Sequence, residues 1–446
     1  MALTGLEIFK LLPKTNCKKC GMPTCLAFAM ALAQKRANLD SCPDVSEEAK
    51  QTLAAAAAPP MKLVKFGTAD AQVQAGQETV LFRHDEKFYS PTVLAVTVSD
   101  KLAGAELTRR IEQVNSLQFE RVGTHIGTGA VAIVNDSGSA DTFAAAAEAV
   151  GKACTLAPIL VTDSPEAMSA AAAKVADKCP LLASATADTA EAMARIAKEN
   201  NCPIVAKAES LEELSDLSEK IKAQGVEEIV LYLDAPSLKE KLYNLSRMRV
   251  LSLKKVFRPL GYPTISFVAD GAAGNQAAAA ISLICKYSGI VVFDTAEAHA
   301  LLPMLTAVMN IFSDPQKPVQ VEPKVYAIGE PGSNAPVMFT TNFSLTYYTV
   351  ESDVEASRIG SYIIVVDTEG TSVLTAYSGD KLNEKTVANA IAKHNVEGLV
   401  KHKKLIIPGY VAVMSGKLEE ATGWEVMVGP RESSMIPKYL QEVWKN

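Results

Sequence analysis

The sequence predicts an α/β protein in three parts: a small N-terminal cysteine module, a central (β/α)8 TIM barrel and a C-terminal Rossmann-like open α/β domain. Three observations predict it. Four of the eight cysteines fall within the first 42 of 446 residues. Between residues 92 and 318, eight short β-branched runs alternate with amphipathic Ala/Glu/Lys stretches, the signature of βα units. Beyond residue 319, three further runs each pass into a loop of small residues. Composition agrees: 48% hydrophobic and 21% charged residues can bury sizeable cores and do not describe a disordered chain. The length asks for two or three domains. A net charge of −6 leaves no basic face for nucleic acid. No apolar run approaches the about 18 residues that span a bilayer, and the opening stretch, with Glu7 and Lys10, lacks the apolar centre of a signal peptide. The expectation is a soluble, cytoplasmic protein with no nucleic-acid or membrane partner.

The first part rests on Cys17, Cys20, Cys25 and Cys42, spaced C-x2-C-x4-C-x16-C and followed by Pro43. Without a secretion signal, clustered thiols read as metal-binding rather than as disulfides. Four thiolates meet the demand of one [4Fe–4S] cluster, one sulfur per iron. Three ligands within nine residues need a tight loop, and Gly21 and Pro23 stand inside it. Zinc is the competing reading, but structural zinc sites present two short pairs, whereas Cys42 stands alone and no histidine precedes His84. The remaining Cys154, Cys179, Cys202 and Cys285 are expected to be small buried hydrophobes.

Residues 1–58 therefore form the cluster domain. An alanine run ending at Pro59-Pro60 opens a linker segment, 59–91, that would let the cluster approach and leave a partner. The barrel follows over 92–318, its strands read from Leu94, Ala130, Pro158, Leu181, Pro203, Ile229, Thr264 and Ile290. Continuous apolar strands alternating with helices mean a covered parallel sheet, and eight units fit a closed barrel. Many strands end in polar residues: Asp100, Asp136, Asp163, Thr186, Lys207 with Glu209, Asp234, Asp270 and Asp294. In a barrel these ends line the functional face, although Asp and Thr after a strand more often cap the next helix, as Thr162-Asp163-Ser164-Pro165 does on its face.

A proline-rich stretch from Pro315 to Pro331 marks the next boundary. Residues 319–446 read as an open parallel sheet with strands at Tyr362, Lys404 and Trp424. Its loops at Gly370, Gly409 and Gly429 share the carboxyl edge, where ligands bind, and glycine there lets a flat ligand approach the backbone.

The opening Leu-Thr-Gly-Leu-Glu-Ile-Phe-Lys-Leu-Leu-Pro-Lys-Thr-Asn-Cys-Lys-Lys-Cys-Gly-Met-Pro-Thr-Cys-Leu-Ala-Phe-Ala closely resembles the large (gamma) subunit family of the corrinoid iron–sulfur protein, of the acetyl-CoA decarbonylase/synthase system. The likeness extends through Gly370-Thr-Ser-Val-Leu-Thr-Ala, Ile407-Pro-Gly-Tyr-Val-Ala and Gly423-Trp-Glu-Val-Met-Val-Gly-Pro-Arg. It implies a methyl carrier of the reductive acetyl-CoA pathway, grouped with methyltransferases. A methyltetrahydrofolate methyltransferase would donate methyl to cob(I)amide, and CO dehydrogenase/acetyl-CoA synthase would receive it. The [4Fe–4S] cluster at Cys17, Cys20, Cys25 and Cys42 would return Co(II) to Co(I). It also implies a heterodimer with a small subunit, and a corrinoid in the C-terminal domain. By match to the family's loops, that corrinoid touches Thr340, Thr346, Gly370, Thr371, Ser372, Val373, Leu374, Gly409, Ala412, Gly429, Pro430 and Arg431. No catalytic side chain is implied. None of the five histidines (His84, His125, His299, His394, His402) sits in an Asp-x-His-x-x-Gly motif. A base-off corrinoid without a protein histidine ligand is therefore expected, and axial ligation is a lever on metal potential. His394 and His402, set among lysines, would lie on polar surface.

Two other readings use the same residues. One is an iron–sulfur barrel enzyme acting at the strand ends, although neither Cys-x3-Cys-x2-Cys nor a Gly-x4-Gly-Lys-Ser/Thr phosphate loop is present. The other is an electron-transfer subunit without corrinoid, which stoichiometric cobalt would eliminate.

Overall fold

A computed structural model describes residues 5–33, 36–46, 49–50, 53, 59–121, 123–268 and 271–444. The alanine run before Pro59 and Asp270 lie outside these. The chain divides into two compact units, Met1–Phe119 with Ile126–Phe312, and Glu120–His125 with Ser313–Asn446.

In the first unit, helices Gly5–Leu11 and Cys25–Ala33 flank the first three cysteines. Within the stretch read as a linker, strands β1 (Leu63–Phe66) and β2 (Val73–Gly76) form an antiparallel hairpin. The barrel strands follow: β3 (Val93–Ser99), then, after a small hairpin of β4 (Gln118–Arg121) and β5 (Thr124–Gly127), β6 (Ala130–Val134), β7 (Ala157–Val161), β8 (Leu181–Ala185), β9 (Ile204–Ala208), β10 (Ile229–Leu233), β11 (Ile265–Phe267) and β12 (Ile290–Phe293). They pair in parallel in the order β10-β9-β8-β7-β6-β3-β12-β11. A parallel bridge between Leu231 and Thr264 brings the ends together, with Leu231 N–H donating to Pro263 O at 2.8 Å. All eight expected strands are present.

Strand alternation explains why each run is apolar throughout. Val93, Ala95, Ala130, Ala132, Ile159, Leu181 and Val230 point inward, where Val64, Phe66 and Ala75 of the hairpin plug the amino end. Leu94, Val96, Val131 and Leu160 point outward against the helices. Side chains thus fill the interior, as expected at eight strands. Beside the hairpin, the buried Arg249 guanidinium lies 4.8 Å from the ring centres of both Phe88 and Tyr287 and 3.2 Å from Glu78.

Three expectations about cysteines change. Cys285 is exposed on its helix, and Cys154 and Cys179 are half-buried, leaving Cys202 as the one fully buried thiol of the four. The helices that end at Cys154 and Cys285 turn part of their small residues to solvent, and Cys179 sits in a left-handed turn before its strand.

The second unit holds β13 (Val325–Ile328), β14 (Val337–Thr341), β15 (Ser361–Val366), β16 (Lys404–Ile407) and β17 (Glu425–Val428). Their order is β13-β15-β14-β16-β17, parallel except for β13. One face packs Val337, Phe339 and Ile364 against Val387, Leu418 and Trp424; the other packs Met338, Ile363 and Ile406 against Tyr347, Val354 and Leu440. The sheet is doubly wound. It has two more strands than the three read from sequence, β13 and β14. His402 is not on polar surface: its Nε2 lies 2.9 Å from Ala335 O and its ring meets Trp424 and Trp444 edge-on. Among the described residues no helix is long and apolar enough to cross a membrane.

Candidate functional site

The cysteine loop has an unusual backbone. Lys14, Asn16, Lys18 and Gly21 all have positive φ, of 60°, 51°, 63° and 78°. Non-glycine residues seldom adopt this conformation. Asn16 N–H points at Cys25 Sγ, 3.4 Å away, while Asn16 Oδ1 accepts from Cys25 N–H at 2.8 Å. Cys25 and Cys42 are buried, Cys20 is half-buried and Cys17 is exposed. Cys17 Sγ lies 3.6 Å from Asp44 Oδ2. Asp44 also holds Lys19 Nζ at 3.2 Å and raises the ammonium above its ordinary value. Among the described residues, no three Cys, His, Asp or Glu side chains converge on one ion position; a four-iron cube asks instead for one thiolate at each iron. The donor set, the partial burial and the Asn16 N–H aimed at Cys25 Sγ fit such an anionic cluster.

At the carboxyl ends of the barrel strands the aspartates bond to neighbouring side chains, while Asn135 Oδ1 after β6 is buried without a partner. Asp100 accepts from Ser137 N–H and Oγ at 2.9 and 2.5 Å. Asp136 accepts from Ser99 Oγ. Asp163 pairs with Lys207 at 2.9 Å and accepts from Ser184 Oγ at 2.7 Å. Asp234 accepts from Tyr232 OH at 2.8 Å, and Asp294 meets Arg110 at 3.0 Å and Thr97 Oγ1 at 2.6 Å. Ser164, followed by Pro165, caps its helix through a 3.3 Å bond from Ala167 N–H, as the sequence indicated. Thr186 N–H is bonded to Thr189 Oγ1 at 3.0 Å, and Glu209 is exposed.

The C-terminal sheet differs. Spatial order β15-β14-β16-β17 reverses direction between β14 and β16, the switch point at which doubly wound sheets bind ligands. A cavity of about 370 Å³ opens there, lined by the ends of both strands (Met338 to Thr340, Ile406 to Pro408), by Leu345, Thr346, Thr349 and Val350, by Ser372 to Leu374, by Gly429 to Ser433, and by Ile436, Tyr439 and Leu440. Its walls are largely apolar, and Leu345, Leu374, Tyr410 and Met435 are exposed around it. Thr340, 1% exposed, has a hydroxyl with no hydrogen-bond partner. An unpaired buried hydroxyl is costly, so an orphan on a cavity wall fits a polar ligand group. At the rim Tyr410 OH donates to Glu432 Oε1 at 2.6 Å, which raises the phenol above its ordinary value.

Eight of the twelve residues expected at the corrinoid line this cavity: Thr340, Thr346, Ser372, Val373, Leu374, Gly429, Pro430 and Arg431. The other four shape it from behind. Gly370, at φ 74°, has no room for a Cβ, which would lie 2.6 Å from Gln320 Cγ. Thr371 Oγ1 closes a turn onto Thr368 O at 2.7 Å. Gly409 packs so closely that a Cβ would meet Gly429 O at 2.6 Å, and half-buried Ala412 sits in the following turn. Sequence reasoning missed Asn342. Its Oδ1 accepts from Thr368 N–H at 2.9 Å and Gly370 N–H at 3.0 Å, and its Nδ2 donates to Gln320 and Asp367, both at 3.1 Å. This one amide holds the loop that presents Ser372 to Leu374. An Asn directly after a strand was the available signal. The helix Ile436–Val443 also forms part of the wall through Ile436, Tyr439 and Leu440, which sequence reasoning did not place there.

A doubly wound domain with a ligand cavity at its switch point, carried with a closed barrel and a cysteine loop, defines a multidomain cofactor-bearing protein. Comparison with known proteins makes this specific. Residues 63–440 match the family described as CO dehydrogenase/acetyl-CoA synthase delta subunit, and residues 12–43 match the family described as a putative Fe-S cluster. The corrinoid/iron-sulfur protein large subunit of Moorella thermoacetica is 46% identical over 441 residues, 99% of each chain. The acetyl-CoA decarbonylase/synthase complex subunit gamma of Methanothermobacter thermautotrophicus is 38% identical over 456 residues, again 99% of each. Among solved structures, the 7,8-dihydropteroate synthase of Vibrio fischeri superimposes with a TM-score of 0.41 at 13% identity, covering 56% of this chain and all of that one. The chain belongs to the corrinoid/iron–sulfur protein large-subunit family.

Proposed function

We propose that this chain is the methyl-carrying subunit of the reductive acetyl-CoA pathway, holding a corrinoid in the cavity at the β14/β16 switch point and a [4Fe–4S] cluster on Cys17, Cys20, Cys25 and Cys42. When bound, the corrinoid supplies a cobalt centre that takes a methyl group from methyltetrahydrofolate through a methyltransferase and yields it to acetyl-CoA synthase, the cluster supplying the electron that restores cobalt to its reactive state. The orphaned Thr340 hydroxyl on the cavity wall carries this reading, with full-length kinship to the Moorella large subunit in support.

The chain's own residues bind, orient and exclude water. Leu345, Val373, Leu374 and Ile436 offer apolar surface to a flat ring. Thr340, Thr346, Ser372 and Arg431 offer hydrogen bonds to its polar periphery. The cavity is too small to enclose a corrin, and the exposed Leu345, Leu374 and Tyr410 leave an open apolar side that a small partner subunit would cover. No lining residue is histidine, which supports a cobalt free of protein imidazole. In the cysteine loop, the Asn16 N–H aimed at Cys25 Sγ stabilises thiolate charge. CO dehydrogenase/acetyl-CoA synthase and the methyltransferase are the remaining partners, and the setting is cytoplasmic.

The test is anaerobic purification with the co-expressed small subunit, followed by metal analysis and visible spectra before and after reduction. About one cobalt and four irons per heterodimer are expected, with a reduced-cobalt band that disappears on adding methyltetrahydrofolate and methyltransferase. Iron without cobalt would overturn the assignment.

A further inference from the structure

Two cysteines outside the N-terminal module stand together at the amino end of the barrel. Cys179-Pro180 precedes β8 and Cys202-Pro203 precedes β9. These strands pair in parallel with Leu182 opposite Ile204, and Leu182 N–H donates to Pro203 O at 3.0 Å. Carrying that register back three residues sets Cys179 opposite Asn201, one position from Cys202. Adjacent strands run ~4.8 Å apart, within the ~4.4–6.8 Å that a disulfide spans between Cα atoms, and Cys179 and Asn201, both left-handed at φ 44° and 51°, turn out of the ladder at this point. Residues offset by one would ordinarily face opposite sides of the sheet. Cys179 avoids this because its backbone is left-handed, φ 44° and ψ 63°. The two sulfurs bond to adjacent backbone carbonyls, which sets Cys179 Sγ beside the peptide that joins Asn201 to Cys202. Cys179 Sγ lies 3.7 Å from Asn201 O, and Cys202 Sγ 3.3 Å from Asn200 O. Cys179 is half-buried and reachable from solvent; Cys202 is 4% exposed.

We propose that Cys179 and Cys202 are a thiol-oxidation site that closes to a disulfide, joining β8 to β9, on meeting a small-molecule disulfide. Cys179 gives up its proton to solvent and its sulfur attacks the oxidant R–S–S–R, breaking that bond and releasing RS⁻. Cys202 then loses its proton and attacks the Cys179 sulfur, releasing the second RS⁻. Two protein thiols lose two electrons and two protons, and the oxidant is reduced to two RSH. The order of attack follows from access and acidity. The neighbouring Cys202 thiol brings the Cys179 thiol down to about 7 against burial and the Glu228 carboxylate, while the same pairing and burial push Cys202 up. Glu228 is itself pushed up by burial, opposed by Lys62 and Lys65.

The test treats the anaerobically purified, cofactor-loaded heterodimer with oxidised glutathione, alkylates remaining thiols and digests with trypsin without reduction. The expected product is peptide 179–195 disulfide-linked to peptide 199–207, separated again by dithiothreitol. Cys202→Ser should instead retain glutathione on Cys179, and Cys179→Ser should leave Cys202 alkylated as a free thiol; a circular-dichroism spectrum and a urea-unfolding midpoint matching the unmutated protein show that both variants are folded. Glutathione persisting on Cys179 in the unmutated protein would overturn the proposal. So would both cysteines remaining free while the exposed Cys285 is modified.

Discussion

The chain presents two carboxyl edges of parallel sheets, and they are finished differently. At the barrel, Asp100, Asp136, Asp163, Asp234 and Asp294 each accept a hydrogen bond from a neighbouring side chain. At the C-terminal sheet, β14 and β16 part around a cavity and leave Thr340 Oγ1 without a partner. An unpaired buried oxygen does not by itself mark a site, since Asn135 Oδ1 after β6 is one at the barrel edge. Carboxylates bonded to their own neighbours hold loops in place, whereas an unpaired hydroxyl beside an apolar cavity at a switch point has room for a ligand.

Substitutions put this contrast to the test. The largest effect lies outside both edges and isolates the cluster from them: Cys42→Ser should lose the iron while leaving cobalt bound, measured by metal analysis and the visible spectrum. Cobalt lost together with iron would mean that the two sites do not hold their cofactors independently. Next is the barrel as scaffold. Arg249→Ala removes the partner of buried Glu78 and empties the space between Phe88 and Tyr287, so unfolding in urea should show a loss of about 3–5 kcal/mol. Asn342→Ala frees the loop at Thr368 and Gly370, leaves their N–H groups unpaired, and should cost about 1–3 kcal/mol; corrinoid retention through gel filtration should fall with it. Thr340→Val is the sharper probe. Removing an orphan hydroxyl should leave stability unchanged or raise it by about 1 kcal/mol, yet weaken corrinoid binding; unchanged binding would show that the hydroxyl does not meet the ligand. Smallest is Asp163→Asn at the barrel edge. Its half-exposed pair with Lys207 is worth less than about 1 kcal/mol, and methyl-transfer rates should not change. A large rate loss there would return the barrel edge to the chemistry.

How legible each edge was follows from its physics. The barrel strands announce themselves because burial on both faces makes them continuously apolar, as in Ile229-Val-Leu-Tyr-Leu. β14 did not, since Val337-Met-Phe-Thr-Thr follows a Pro/Gly-rich turn and ends in threonines that read as loop. Only its pairing with β15 and β16, distant in sequence, makes it the central strand. The cysteine ligands could be read because chemistry fixes their type and spacing, but the left-handed run at Lys14, Asn16 and Lys18 carries no such mark. Ser372 to Leu374 and Gly429 to Arg431 could be carried over from kinship. Gly370 and Gly409 also pack closely against Gln320 and Gly429, and a glycine kept for a ligand and one kept for a neighbouring loop look alike in sequence.

The Asn342 amide has a consequence for motion. A connection such as 367–371 would ordinarily open on its own, its amide protons trading with solvent in brief local excursions. Here Thr368 N–H and Gly370 N–H both end on an oxygen fixed at the tip of the central strand. Their protons should therefore exchange with deuterium at rates close to those of the sheet amides. The floor beneath the ligand would keep its shape until the whole β14–β15 pairing gives way.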